Sequence, residues 1–172
     1  EDVKTALNSQ LDKNVLMYSF SPNSLDEIFN GILEIGNILG KMETARNLVS
    51  DMKIRIKTIK QESQRIRRKP KVCAIEWIDP IYSGGNWMPE LIEIAGGYSL
   101  FANSGNHSSI IKFQQIVAED PDVILIFPCG WDITRSLSEL DTLTKRPEWQ
   151  FLKAIRNKKV YILDGNQYFN RP

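Results

Sequence analysis

Histidine is almost absent from this 172-residue chain, and the single copy, His107, sits in Asn106-His107-Ser108 with no Gly-x-Ser-x-Gly elbow elsewhere to accompany it. A hydrolytic triad therefore lacks its frame, and one imidazole by itself makes no metal site. Cysteine is nearly as sparse: Cys73 and Cys129 are too few for a disulfide framework and lack metal-ligand spacing. Gly84-Gly85 extends into neither GxGxxG nor GxxxxGK(S/T), so the usual anchors for dinucleotides and nucleotides are missing. No apolar run approaches the ~20 residues of a membrane span. The opening Glu1-Asp2-Val3-Lys4 also has neither the basic nor the apolar region of a secretory signal. Net charge is nearly nil at +1.

What is present is ordinary in bulk, with 42% hydrophobic and 25% charged residues, the balance of a globular domain. The length allows one substantial core. The small net charge conceals one asymmetry: Lys53, Arg55, Lys57, Lys60, Arg65, Arg67, Arg68, Lys69 and Lys71 crowd a single stretch. Such a cluster can attract phosphate-rich partners. No aromatic residue interleaves with it, so base stacking has no platform, and the plain reading is a solvated helix face without nucleic-acid binding.

The order of elements indicates an α/β fold. Residues 14–20, NVLMYSF, form a short apolar run bounded by polar residues and are expected as a strand. Ser24-Leu25-Asp26-Glu27 has the capping-box form, and Leu25, Ile28, Phe29, Ile32, Leu33 and Ile35 give the helix an apolar face, with Gly36 and Gly40 as breaks. From Met42 to about Ile66, the positions Ala45, Leu48, Val49, Met52, Ile56 and Ile59 follow the helical period. The helix they imply is roughly 35–40 Å long, more than a small domain needs for its own packing, which suggests a connecting role. After Pro70, strands expected at 71–78, 123–127 and 160–163 alternate with helices at 88–95, 113–119 and within 133–154. That alternation points to βαβ units and a mostly parallel, Rossmann-like sheet.

Open parallel sheets bind ligands outside the carboxyl ends of their strands, and here those ends are aromatic. The first strand runs into Glu76-Trp77-Ile78-Asp79-Pro80-Ile81-Tyr82 and then Asn86-Trp87. The second runs into Pro128-Cys129-Gly130-Trp131-Asp132, and the third into Asn166-Gln167-Tyr168-Phe169-Asn170-Arg171. Rings beside amides suit a broad, flat, partly polar ligand; each ring taken singly could equally anchor its loop against the sheet. An enzyme reading would need Glu76 with Asp79, Asp132 with Asp164, or His107 with a carboxylate, converging in one pocket as acid and base.

The blocks IEWIDPIYSGGNWMPELIEIAGG, EDPDVILIFPCGWDITRSLSEL and KKVYILDGNQYFNRP, in that order, resemble the cobalamin and iron-siderophore substrate-binding proteins of ABC importers. The SFSPNSLDEIFNGILEIGNILGK segment and the long helix after it are similar to the same family. The resemblance implies three parts: residues 1–41 as a remnant of an amino-terminal lobe, 42–69 as the rigid inter-lobe helix, and 70–172 as a carboxy-terminal ligand-binding lobe. It also implies that the chain is a carboxy-terminal-half fragment, with most of one lobe expected before Glu1 and a terminal helix after Pro172. No catalytic role is implied. The implied ligand is cobalamin or a related corrinoid, with a ferric siderophore or haem as alternatives. Its contacts would come from Trp77, Tyr82, Asn86, Trp87, Trp131, Asn166, Tyr168, Phe169 and Arg171. The family often has a histidine where this chain has Asn86. An intact protein of this kind is extracytoplasmic or lipid-anchored and delivers ligand to a membrane permease, for which Glu90 and Glu93 offer docking carboxylates three residues apart. A chain with one wall of the cleft is expected to bind cobalamin weakly or not at all, and to be dimeric or larger through residues 14–20 or the long helix.

Overall fold

The computed structural model describes residues 3, 5, 7 and 17–169. Two helices lead. Helix α1 (Leu25–Ile38) starts at Ser24, whose side chain accepts from the Glu27 amide at 3.2 Å, while the Glu27 carboxylate reaches back to the Asn23 amide at 2.7 Å. The reciprocal cap forms as the sequence suggests, shifted one residue upstream on its return bond. Gly36 does not break the helix. It is buried inside α1, where a Cβ would strike the side chain of Ala45, so it is the point at which α1 and helix α2 (Met42–Ser63) cross closely. The break falls at Gly40, whose φ of 63° suits a residue without Cβ. With 22 residues, α2 is about 33 Å long.

Among the described residues, 17–20 pair with no strand, and the rest of the expected strand at 14–20 lies outside them. An apolar run becomes a strand only where a ladder satisfies its backbone, and the described sheet offers these residues no pairing.

That sheet contains β1 (Lys71–Trp77), β2 (Tyr82–Ser83), β3 (Tyr98–Ser99), β4 (Val123–Ile126) and β5 (Val160–Ile162). β1 is parallel to β4 through Val72 with Val123 to Ile75 with Ile126, and β4 is parallel to β5. On its other side β1 pairs twice, in parallel with β3 at Lys71 and Val72 and antiparallel with β2 at Ile75 and Trp77. Neither two-residue strand stands out in the sequence, because both are shorter than any periodicity can report.

Helix α3 (Met88–Ile94) connects toward β3, and α4 (Phe113–Glu119) carries the chain back across to β4. Helices α5 (Ile133–Glu139) and α6 (Asp141–Thr144), a 3-10 turn (Trp149–Phe151) and α7 (Lys153–Arg156) precede β5, and α8 (Gly165–Tyr168) follows it. Alternation along the strands sorts the core into two layers. Cys73, Ile75, Ile124 and Ile126 face Phe113, Ile116, Leu143 and Leu152, whereas Val72 and Ala74 face Met88, Ile92 and Phe127. A third cluster, Leu25, Phe29, Val49 and Trp87 with Leu91 and Ile94 beside it, fastens α1 and α2 to α3. The result is a mixed α/β fold with a mostly parallel sheet between helical layers.

Candidate functional site

The chain leaves β1 toward β3 on one side and reaches β4 on the other, so the strand order reverses at β1. Crevices at such reversals, outside the carboxyl ends of the strands, are where α/β sheets hold ligands. A cleft of about 250 Å³ lies there, and Tyr82, Asn86, Trp87 and Phe169 all line it.

Its walls are built by backbone bonds between distant loops. Gly84 donates to Ala74 O (2.9 Å), Ser83 to Ser109 O (2.9 Å) and Asn86 to Asn106 O (2.6 Å), while the Asn86 carbonyl accepts from Gly105 (3.0 Å). Residues 83–86 and 105–109 thus form one rigid lip. Gly85 allows this approach, since a Cβ there would collide with the backbone of His107 and Ser108. Asn86 takes the left-handed conformation, φ 54°, which asparagine tolerates better than other side chains. Its Oδ1 is buried without a hydrogen-bond partner among the described residues.

The opposite wall is the turn after β4. Trp131 O accepts from Gly165 (2.9 Å) and Asn166 (3.1 Å), and the Cys129 amide donates to Glu76 O (3.0 Å). Phe169 packs at a tilt of 35° on buried Phe127 with ring centroids 4.6 Å apart, and Tyr168 meets Phe169 edge-on at 6.4 Å. Tyr168 itself is 68% exposed at the rim.

The remaining expected contacts divide. Trp77 and Trp131 pack on each other, centroids 4.9 Å apart, against the core layer that faces α4, and neither lines the cleft. The Trp77 indole donates to Asp79 O at 3.1 Å, and Arg135 covers Trp131 at 4.3 Å. Trp87 is largely buried among α1 and α2 and gives the cleft only part of its surface. Asn166 is exposed, and Arg171 lies outside the described residues. Glu90 accepts from the Leu25 amide at 3.1 Å and so tethers α1 to α3, whereas Glu93 is exposed.

Sequence reading passed over Glu76, Met88, His107, Ser108, Phe127 and Cys129 as members of this cleft. The signal for Glu76 and Cys129 was available in their strand-end positions. For His107 and Ser108 there was none, because only the loop-to-loop bonds bring them in. Asp132 and Asp164 each accept from the backbone of their own helix, Arg135 N and Gln167 N respectively, both at 2.7 Å, and neither lines the cleft, whereas Glu76 and His107 both do. Among the described residues, no three His, Cys, Asp or Glu side chains are grouped to hold a metal ion, and no helix is long and apolar enough to cross a membrane.

Solved structures share this architecture at low identity. An ABC transporter substrate-binding protein from Listeria monocytogenes superimposes with a TM-score of 0.77 at 19% identity, covering 97% of this chain and 64% of its own. IsdE of S. aureus complexed with heme gives 0.73 at 20%, covering 95% and 64%. The periplasmic vitamin B12 binding protein BtuF of Vibrio cholerae gives 0.69 at 20%, covering 96% and 62%. The chain thus spans less than two thirds of the length of each. A search of curated proteins found no match. The sequence model of the periplasmic binding proteins matches residues 3–167, nearly the whole chain, and the chain belongs to that family.

Proposed function

We propose that this chain is the ligand-capturing part of an ABC importer's extracytoplasmic substrate-binding protein, and that its ligand is cobalamin or a related corrinoid. The observation that carries the reading is the convergence of Tyr82, Asn86, Trp87 and Phe169 on one cleft at the strand-order reversal. Ring faces and an orphaned amide oxygen match a broad macrocycle edged with carboxamide donors. The choice of corrinoid rests on the resemblance of the IEWIDP, PCG and YFNRP blocks. Tyr168 at the rim, Asn166 and Arg171 would add edge contacts. Trp77 and Trp131 would act by holding the strand-end loops in place. The cleft would deliver its ligand to a membrane permease without chemical change, and Glu93 is the carboxylate free of the α1 tether to dock there.

Haem is the second reading, favoured by His107 and Cys129 lining the same cleft, since imidazole and thiolate are both iron ligands. Calorimetry of the full-length gene product with cyanocobalamin, haem and ferric siderophores in turn separates them. Corrinoid binding that weakens in Asn86→Ala and Phe169→Ala is expected. Binding of haem or a siderophore without the corrinoid would overturn the ligand assignment, and a haem complex would shift its absorption in His107→Ala.

A further inference from the structure

The outer face of α2 carries a regular cationic row. Arg46, Ser50, Lys53, Lys57 and Lys60 follow one another at spacings of four, three, four and three residues, which aligns them on one side of a helix. At 1.5 Å per residue the row extends about 21 Å. Arg46, Lys53, Lys57 and Lys60 are exposed, and none makes an ion pair among the described residues, where the ion pairs involve Lys71, Lys145 and Lys153. Lys53 lies over the Phe29 ring at 5.1 Å.

Beneath Arg46, Lys53 and Lys57 is a shallow depression of about 400 Å³ between α1 and α2, with Leu33, Val49 and Ile54 as its apolar surface and no acidic residue in its lining. Ile54 is 59% exposed beside the cations. The groove on the other side of the row is different, since Lys53, Lys57, Lys60 and Lys69 share it with Asp26, Glu90 and Glu93. An occupant of the acid-free side must be anionic toward the row and apolar toward Ile54. No aromatic ring lines the depression, which disfavours single-stranded nucleic acid.

We propose that this face of α1 and α2 docks on a bilayer surface bearing anionic phospholipids, with the cationic row at the headgroup phosphates and Ile54 in the interfacial layer. Basic residues over an apolar surface are the composition that binds such an interface, and each cation near it adds an independent increment of attraction. The proposal does not depend on which ligand fills the cleft.

Sedimentation of the chain with phosphatidylcholine vesicles, and with mixed phosphatidylcholine–phosphatidylglycerol vesicles, tests it. Binding to the mixed vesicles alone is expected, weakening as salt rises. The triple substitution Arg46→Gln, Lys53→Gln, Lys57→Gln should weaken the partition on the order of a hundredfold, and Ile54→Ser should weaken it at high salt, where the apolar part remains. Single Lys57→Gln, at about fivefold, keeps the test open if the triple variant does not fold. Equal binding to both vesicle types, no binding to either, or unchanged binding of the variants would overturn the proposal. Tighter binding to a DNA duplex than to the mixed vesicles would also overturn it, by assigning the row to nucleic acid.

Discussion

A side chain at position 165 has no room, because a Cβ there would run into the Pro128 carbonyl. The approach is what allows Trp131 O to accept from both Gly165 and Asn166 and closes one wall of the cleft. Gly165→Ala should therefore cost about 2–3 kcal/mol, read as a lower urea midpoint with unchanged slope; an unchanged midpoint would mean that the turn after β4 gives way freely. The two thiols make a second test. Burial pushes Cys73 up to about 12, while Cys129 is exposed at the cleft. The raised thiol favours the fold below the unfolded pKa of about 8.5, and that contribution declines as pH rises from there toward the folded value. A thiol reagent at neutral pH should label one cysteine in the native chain and two after denaturation, and bound ligand should protect the first. Two fast thiols in the native chain would contradict the packing of β1. That Tyr82, Asn86 and Phe169 line the cleft was legible in the sequence, because they follow the strand ends. The place of His107 was not, since the bond from Asn86 N to Asn106 O joins loops about twenty residues apart.

Among the elements, hydrophobic period located what was long enough to show one. α2, α4, β1, β4 and β5 fall within a few residues of their expected bounds. Gly36 misled because a helical glycine that breaks a helix and one that admits a neighbouring helix look alike in sequence, and only the contact with Ala45 distinguishes them. The ends of the strands opposite the cleft are tied by charge. Asp122 accepts from the Lys71 amide at 2.9 Å and pairs with Lys153, while Lys153 N donates to Asp120 at 2.7 Å. The Lys153 bond first, then the Lys71 amide, hold the Asp122 carboxyl below its usual range. Such a group stabilises the fold above its unfolded pKa, about 3.9, and the benefit is lost as pH falls below that toward the depressed folded value. Asp122→Asn should lower stability at neutral pH by about 1–2 kcal/mol and flatten its decline below pH ~4. A variant that loses stability on acidification as steeply as the parent would place the acid-sensitive group elsewhere.

At the scale of the molecule, the cleft and the exposed apolar surface bear on one prediction. Tight sites bury most of their ligand, and a cleft of about 250 Å³ is small beside a corrinoid macrocycle with its side arms. The chain spans 64% of the Listeria binding protein it superimposes on. On the α1 and α2 side, Phe20, Ile35, Ile38, Leu39 and Leu48 are 39%, 43%, 42%, 66% and 49% exposed, and Phe20, Ile28, Ile32 and Ile35 line a groove of about 310 Å³. Apolar surface of this kind favours association, since each large side chain removed from water contributes about 1.5–3 kcal/mol. The chain alone is expected to be dimeric or larger and to bind cobalamin weakly. Ile35→Asp with Leu39→Asp should shift it toward monomer, because two carboxylates on that face must lose hydration to stay in contact. Light scattering across concentrations, with a cobalamin titration of the same samples, reads both halves. Monomer at every concentration would show that the apolar face is satisfied within one chain. Micromolar or tighter binding by the 172-residue chain would show that this cleft suffices by itself, and the argument from ligand burial would fall.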